Sequence, residues 1–309
     1  MLLWKGADLL VNGAVGLADR FGVSQLVVGL TVVAMGTSAP EAAASIASVL
    51  ADKGDIAIGN VYGSNVANLA LVGGLVALIR PLRVQARTLR GEIPVMLLVA
   101  LLLWPVLRDL VLSRLEGVVL IAIFAGLVIY TIRTARSGHV PTFIDQPPLP
   151  QVKRHTLTRD LCFAVLGLMA LTVGARLAVR GAVTIGTLAG LSDAVIGSTI
   201  MAVGTSLPEL VTCVIAALKG HHDISVGNLV GSNIFNTLLV SGLAGVVHPF
   251  VVGVRFANGP DFWIMIGVSL GFGLAALLGR RVIGRLSGVV LLAVYGGYLV
   301  YLLASMPSA

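Results

Sequence analysis

Two glutamates, Glu41 and Glu209, each sit inside a long apolar run and are introduced by nearly the same residues. Gly36-Thr37-Ser38-Ala39-Pro40-Glu41 is matched by Gly204-Thr205-Ser206-Leu207-Pro208-Glu209. Downstream of each, at identical spacing, come Gly59-Asn60, Gly63-Ser64-Asn65 and Asn68, matched by Gly227-Asn228, Gly231-Ser232-Asn233 and Asn236. An ionisable side chain in hydrocarbon costs at least about 2 to 3 kcal/mol even on a lenient insertion scale, so such carboxylates mark function by default. The side chains gathered here are carboxylates, amides and hydroxyls, which with freed backbone carbonyls form an all-oxygen donor set. Hard cations such as Ca²⁺ take about six to eight oxygens at about 2.3 to 2.6 Å. Zinc or copper would want His and Cys. His139, His155, His221, His222 and His248 fall in or beside loops, and Cys162 and Cys213 have no metal-ligand spacing and read as small packing residues.

Two facing carboxylates repel, and they can be neutralised by one divalent ion, by monovalent ions or by protons. These alternatives compete for one site, and that competition is the physical root of antiport: a loaded carrier reorients, a bare one does not. Other chemistries fit less well. Phosphoryl transfer wants cationic clamps near the reacting group, and neither island holds a base. A passive channel needs weaker binding than a deep dicarboxylate site provides. No catalytic residue and no bound cofactor are expected.

The elements that must carry these residues repeat as well. Gly29 to Leu75, written against Gly197 to Leu243 at a constant offset of 168, shares 21 of 47 residues. At 57% hydrophobic and 11% charged residues, with a mean hydropathy of +0.99, the 309-residue chain reads as a polytopic helical membrane protein. Ten spans are expected, near 1–19, 25–50, 57–79, 91–107, 113–134, 161–186, 193–218, 225–247, 261–278 and 283–304. The expected fold is therefore an all-α membrane protein of ten transmembrane helices. It divides into a five-helix repeat over 1–134, a Pro-rich cytoplasmic linker over 135–158 and a second five-helix repeat over 159–309. Five spans per repeat is an odd number, so the second copy enters from the opposite side and the repeats are inverted. Pro40 and Pro208 lack the N–H that would bond Gly36 and Gly204, so helices 2 and 7 should break. A break is tolerated in a bilayer only where protein or a hydrated cavity surrounds it.

The net charge of +7 follows membrane orientation and does not call for a nucleic-acid partner. Loops after the odd-numbered spans hold 14 basic residues against 7 elsewhere, which places them in the cytoplasm and both termini outside. No cleavable signal segment is expected. The repeat partner of the first span maps back beyond Met1, so the natural start is expected slightly upstream. Gly29, Gly59, Gly63, Gly227 and Gly231 are expected to serve close helix packing. Asp8 and Arg176 should snorkel, Asp55 and Asp223 should cap helices, and Trp4, Trp104 and Trp263 fit an interfacial belt.

GTSAPE with GSNVAN, repeated as GTSLPE with GSNIFN, resembles the two alpha repeats of the calcium:cation antiporter superfamily, in its prokaryotic sodium/calcium exchanger type. The likeness covers essentially the whole chain. It implies exchange of about three Na⁺ for one Ca²⁺ by alternating access in a bacterial or archaeal plasma membrane, with the two ions and the lipid bilayer as partners and no obligate protein partner. By motif position it implies Glu41 and Glu209 as central Ca²⁺ ligands with the carbonyls of Thr37 and Thr205. Na⁺ sites would use Ala34, Thr37, Ser38, Glu41 and Ser232 on one side, and Ala202, Thr205, Ser206, Glu209 and Ser64 on the other. Asn68 and Asn236 would flank the middle site. Some relatives carry Asp where this chain has Asn236, so the central charge here is at most −2, and proton- or K⁺-coupled divalent antiport on the same fold stays open.

Overall fold

The computed structural model describes residues 1–136, 156–189 and 202–305, and within them the chain is helical apart from short connections and two pairs of two-residue strands. Most of the expected linker, and residues 193–201 of the seventh expected span, lie outside the described residues.

The helices, in chain order, are α1 (Leu2–Phe21), α2 (Gln25–Thr37), α3 (Ala39–Leu50), α4 (Gly54–Ile79), α5 (Ala86–Val106), α6 (Arg114–Arg136), α7 (Leu157–Leu188), α8 (Ala202–Thr205), α9 (Leu207–Leu218), α10 (His222–Val247), α11 (Val254–Leu278) and α12 (Arg285–Ala304). Seven of them, α4 to α7 and α10 to α12, are long and apolar enough to cross a bilayer, and α2 with α3 makes an eighth if that bent pair is one span. The chain is thus an all-helical membrane protein. Its lipid-facing helices expose Leu, Val and Ile, whereas α4 and α10 are largely buried and carry the polar stripes.

Helices α1 and α7 run antiparallel in close backbone contact. A Cβ on Gly13 would lie 2.7 Å from the backbone of Asp160 and Ala164, and one on Gly167 would lie 2.5 Å from Leu10 N. Small residues at such an interface replace the hydrophobic drive that lipid removes. Arg20 Nε, at the end of α1, stands 3.7 Å from the buried Asp160.

Short strands stitch the two halves together. β1 (Leu82–Arg83), after α4, pairs antiparallel with β4 (Val282–Ile283), ahead of α12; β2 (Val111–Leu112), ahead of α6, pairs with β3 (Phe250–Val251), after α10. The aspartates expected as caps join this stitching instead. Asp55 Oδ1 accepts from Gly253 N and Asp223 Oδ2 accepts from Gln85 Nε2, both at 2.6 Å. Each lies inside the first helical turn, two positions after the cap residue, so its carboxylate points at the facing loop. Asp8 does not snorkel either: Lys219 Nζ lies 2.5 Å from its Oδ1 and donates to Asn12 at 2.8 Å, tying α1 to the end of α9.

Candidate functional site

The break in the first repeat falls at Ser38, whose φ of −90° and ψ of 7° end α2 before α3 resumes at a bend of 45°. Pro40 occupies the opening turn of α3, where its missing N–H costs that helix nothing, but it leaves the Gly36 carbonyl without a helical donor. Ser206, with φ −85° and ψ 5°, and Pro208 do the same between α8 and α9. Glu41 and Glu209 therefore each sit in the first turn of a helix that starts inside the protein, where the helix dipole favours negative charge. Sequence periodicity gives no sign of the three wide π-helical turns among the described residues, Gly29–Val33, Ala67–Val72 and Asn236–Val240. Asn68 and Asn236 lie in the second and third of them, and such turns recur at functional sites.

Both carboxylates are fully buried. Ser38 Oγ crosses between the halves and donates to Glu209 Oε1 at 2.8 Å. Thr37 Oγ1 lies 3.1 Å from Asn228 Oδ1. Asn60 Nδ2 donates to the Glu41 carbonyl at 3.1 Å and to Ser45 Oγ at 2.9 Å, and Ser45 Oγ donates to the Ala57 carbonyl. The second repeat copies this with sulfur in place of oxygen: Asn228 Nδ2 donates to Cys213 Sγ at 3.3 Å, and Cys213 Sγ faces the Ser225 carbonyl. Cys213 is thus a bonded member of the frame and more than a small packing residue. Asn60, Asn228 and Ser45 also belong to that frame; the sequence marks Asn60 and Asn228 as repeated residues but leaves them outside the ligand set. The offset of 168, which pairs Ser45 with Cys213, was the signal available.

Around the carboxylates is a set of buried side-chain atoms that no described protein group satisfies. Among the described residues, Glu41 Oε1 and Oε2, Glu209 Oε2, Ser206 Oγ, Ser232 Oγ and both amide atoms of Asn68 and Asn236 have no hydrogen-bond partner. Unpaired buried polar groups are rare because each costs about 1 to 3 kcal/mol, so this concentration points to a polar occupant. Glu41, Glu209, Thr37, Ser38, Ser206, Ser64, Ser232, Asn68, Asn236 and Ala34 are all buried. Thr205 is half-buried, and the side chain of Ala202, at the start of α8, lies outside the described residues. Among the described residues no three His, Cys, Asp or Glu side chains group as metal ligands, so the donors on offer are oxygens around two carboxylates. Hard cations fit that set, and they would be cargo here.

A cavity of about 250 Å³ reaches this region. Asn60, Ser64 and Thr205 line it together with Arg255, Asp261, Tyr295 and Tyr298. The packing glycines divide accordingly. A Cβ on Gly227 would lie 2.8 Å from Leu26 O and one on Gly231 2.6 Å from Leu30 O, as expected of close packing. Their repeat partners Gly59 and Gly63 face the cavity, with nearest atoms 3.3 and 3.8 Å away on Phe256 and Tyr298.

Comparison with known proteins agrees with this architecture. Inner membrane protein YrbG of Escherichia coli (strain K12) is 36% identical over 98% of this chain and 93% of its own length. Sodium/calcium exchanger MaX1 of Methanosarcina acetivorans is 34% identical over 98% of this chain and 95% of its own. The solved structure of the sodium-calcium exchanger NCX_Mj superposes with a TM-score of 0.82 at 31% identity, covering 97% of this chain and 95% of that one. The profile of the sodium/calcium exchanger protein family matches residues 1–133 and 160–304, nearly every residue on both sides of the central linker, and the chain belongs to that family.

Proposed function

We propose that this protein is a secondary active antiporter that exchanges Na⁺ for Ca²⁺ by alternating access, with three Na⁺ moving against one Ca²⁺. The observation that carries it is the group of unsatisfied buried oxygens around Glu41 and Glu209, where two interrupted helices from the two halves meet. Glu41 and Glu209 would hold Ca²⁺ between them, with the Thr37 and Thr205 carbonyls. Ala34, Ser38 and Ser232, and Ala202, Ser206 and Ser64, would complete flanking Na⁺ sites, with Asn68 and Asn236 beside the middle one. A divalent ion neutralises both carboxylates at once and several Na⁺ do so together, so the two loads exclude each other.

Ten transmembrane helices in two inverted five-helix repeats belong to the same proposal. The strand pairings support it. β1 meets β4 and β2 meets β3, which requires the third connection to share a side with the ninth and the fourth with the eighth. Five spans per repeat meets that condition. The arginine-rich connections after α4 and α11 would then face the cytoplasm and both termini the outside, in a bacterial or archaeal plasma membrane. No resident cofactor is needed.

The test is ⁴⁵Ca²⁺ uptake into proteoliposomes holding the purified chain, driven by an outward Na⁺ gradient. Uptake that requires internal Na⁺ is expected. Uptake driven equally by a pH or K⁺ gradient without Na⁺ would transfer the assignment to a differently coupled antiporter.

A further inference from the structure

The cavity has a charged rim to which the exchange chemistry assigns no role. Arg255, in the short turn Val254–Ala257, places Nε 2.7 Å and Nη2 3.0 Å from the two oxygens of Asp261. Asp261 is 1% exposed, and the Tyr301 hydroxyl donates to its Oδ2 at 3.1 Å. The guanidinium also lies 5.1 Å from the Phe256 ring centre. The Arg255 side chain keeps 39% of its surface exposed and lines the same cavity as Ser64 and Thr205. It is, in effect, a monovalent cation tethered in the wall of a cavity shared with Ser64 and Thr205. Without a counter-ion of its own it would be drawn toward the Glu41 and Glu209 carboxylates.

We propose that Asp261 is a positioning residue that holds Arg255 against the rim and so keeps a tethered cation from competing with Ca²⁺ and Na⁺ for Glu41 and Glu209. The proposal rests on the exchange function and deepens it by naming what sets cation affinity from one face. Bidentate guanidinium–carboxylate geometry suits this role, since it fixes direction as well as charge. A related pairing occurs in the first repeat, with the acid one position away from the repeat equivalent of Asp261. Arg87 is the partner of Arg255 at the offset of 168, and its Nε stands 3.6 Å from Glu92 Oε1. Glu92 begins the main helix Glu92–Val106 much as Asp261 begins Pro260–Leu278. Two arginines of repeat-equivalent position are each held by an acid at the head of the next helix.

A positive charge released beside the site repels bound cations in proportion to their own charge, which a packing defect does not, so Ca²⁺ suffers more than Na⁺. The experiment measures half-saturating Ca²⁺ and Na⁺ at each face of oriented proteoliposomes. For Asp261→Asn, the half-saturating Ca²⁺ should rise by about two orders of magnitude at the face carrying residues 248–259, the scale of one unit charge acting on a divalent ion over about 10 Å at an effective dielectric constant of about 20. The Na⁺ value should rise less, the opposite face should be unchanged, and the maximal rate should be kept. Adding Arg255→Gln should return both values to within about twofold of wild type, and Arg255→Gln alone should leave the Ca²⁺ value at or below wild type. An unmoved Ca²⁺ value, equal shifts for both ions, shifts at both faces, or a double variant as impaired as the single would each overturn the proposal. If Asp261→Asn does not fold, Arg255→Gln decides alone, since a raised Ca²⁺ value there would overturn it. A wild-type protein that exchanges nothing would remove the exchange function and this role with it; an active wild type with an unmoved Asp261→Asn would remove only this role.

Discussion

Replacing Glu209 by Gln changes almost nothing but charge. The side chain is fully buried, its Oε1 takes the Ser38 hydroxyl at 2.8 Å and its Oε2 has no partner. Glutamine can keep the first contact through its carbonyl, but then presents an NH₂ donor where the unpartnered oxygen was. Central charge falls from −2 to −1, leaving a divalent ion half-neutralised in a site without water-like screening. Removing one partner from a buried charge pair costs about 3 to 5 kcal/mol, which is roughly 150- to 5,000-fold in affinity. Glu41→Gln should cost at least as much, because both Glu41 oxygens are unpartnered. Ser38→Ala removes one hydrogen bond to a charged acceptor, about 1.5 to 3 kcal/mol, and should fall between the Gln variants and wild type. The assay is calorimetric Ca²⁺ binding in detergent beside ⁴⁵Ca²⁺ uptake in Na⁺-loaded vesicles. A Glu209→Gln protein that kept more than about a tenth of wild-type Ca²⁺ affinity would refute the assignment of that carboxylate as a ligand.

Three further outcomes are expected. Gly231→Ala forces a Cβ to within 2.6 Å of Leu30 O and 2.9 Å of the Ala34 side chain, so it should destabilise by about 1 to 3 kcal/mol in thermal unfolding; Gly63→Ala, with its nearest atom at 3.8 Å, should leave the midpoint unchanged. Cys213→Ser should retain exchange within about twofold, because serine occupies the equivalent position 45 and bonds Asn60 there; Cys213→Val leaves Asn228 Nδ2 without its acceptor and should lower the melting temperature and the uptake rate. Exchange of three Na⁺ for one Ca²⁺ carries one net charge per cycle, worth about 2.3 kcal/mol per 100 mV, so clamping vesicles at inside-positive or inside-negative potential should shift initial uptake in opposite directions, and a voltage-independent rate would exclude that stoichiometry.

The sequence by itself determined the membrane class, the helical character and the polar residues that both repeats share. These are local properties: apolar runs set helix length, proline removes a particular N–H, and a repeat at fixed offset marks what both halves share. Glu41, Glu209, Ser38, Ser206, Ser232, Asn68 and Asn236 were all legible in this way, and all are buried. Only the tertiary structure decided how they meet. That Ser38 of one half would bond Glu209 of the other, that Asp55 and Asp223 would bind facing loops, and that Asp8 would pair with Lys219 depend on contacts between residues far apart in the chain. The hydropathy of a segment carries no record of its neighbour. The same holds for Cys213 and Asp261: each looks unremarkable in its own window, and each takes its role from the side chain that the fold sets opposite it.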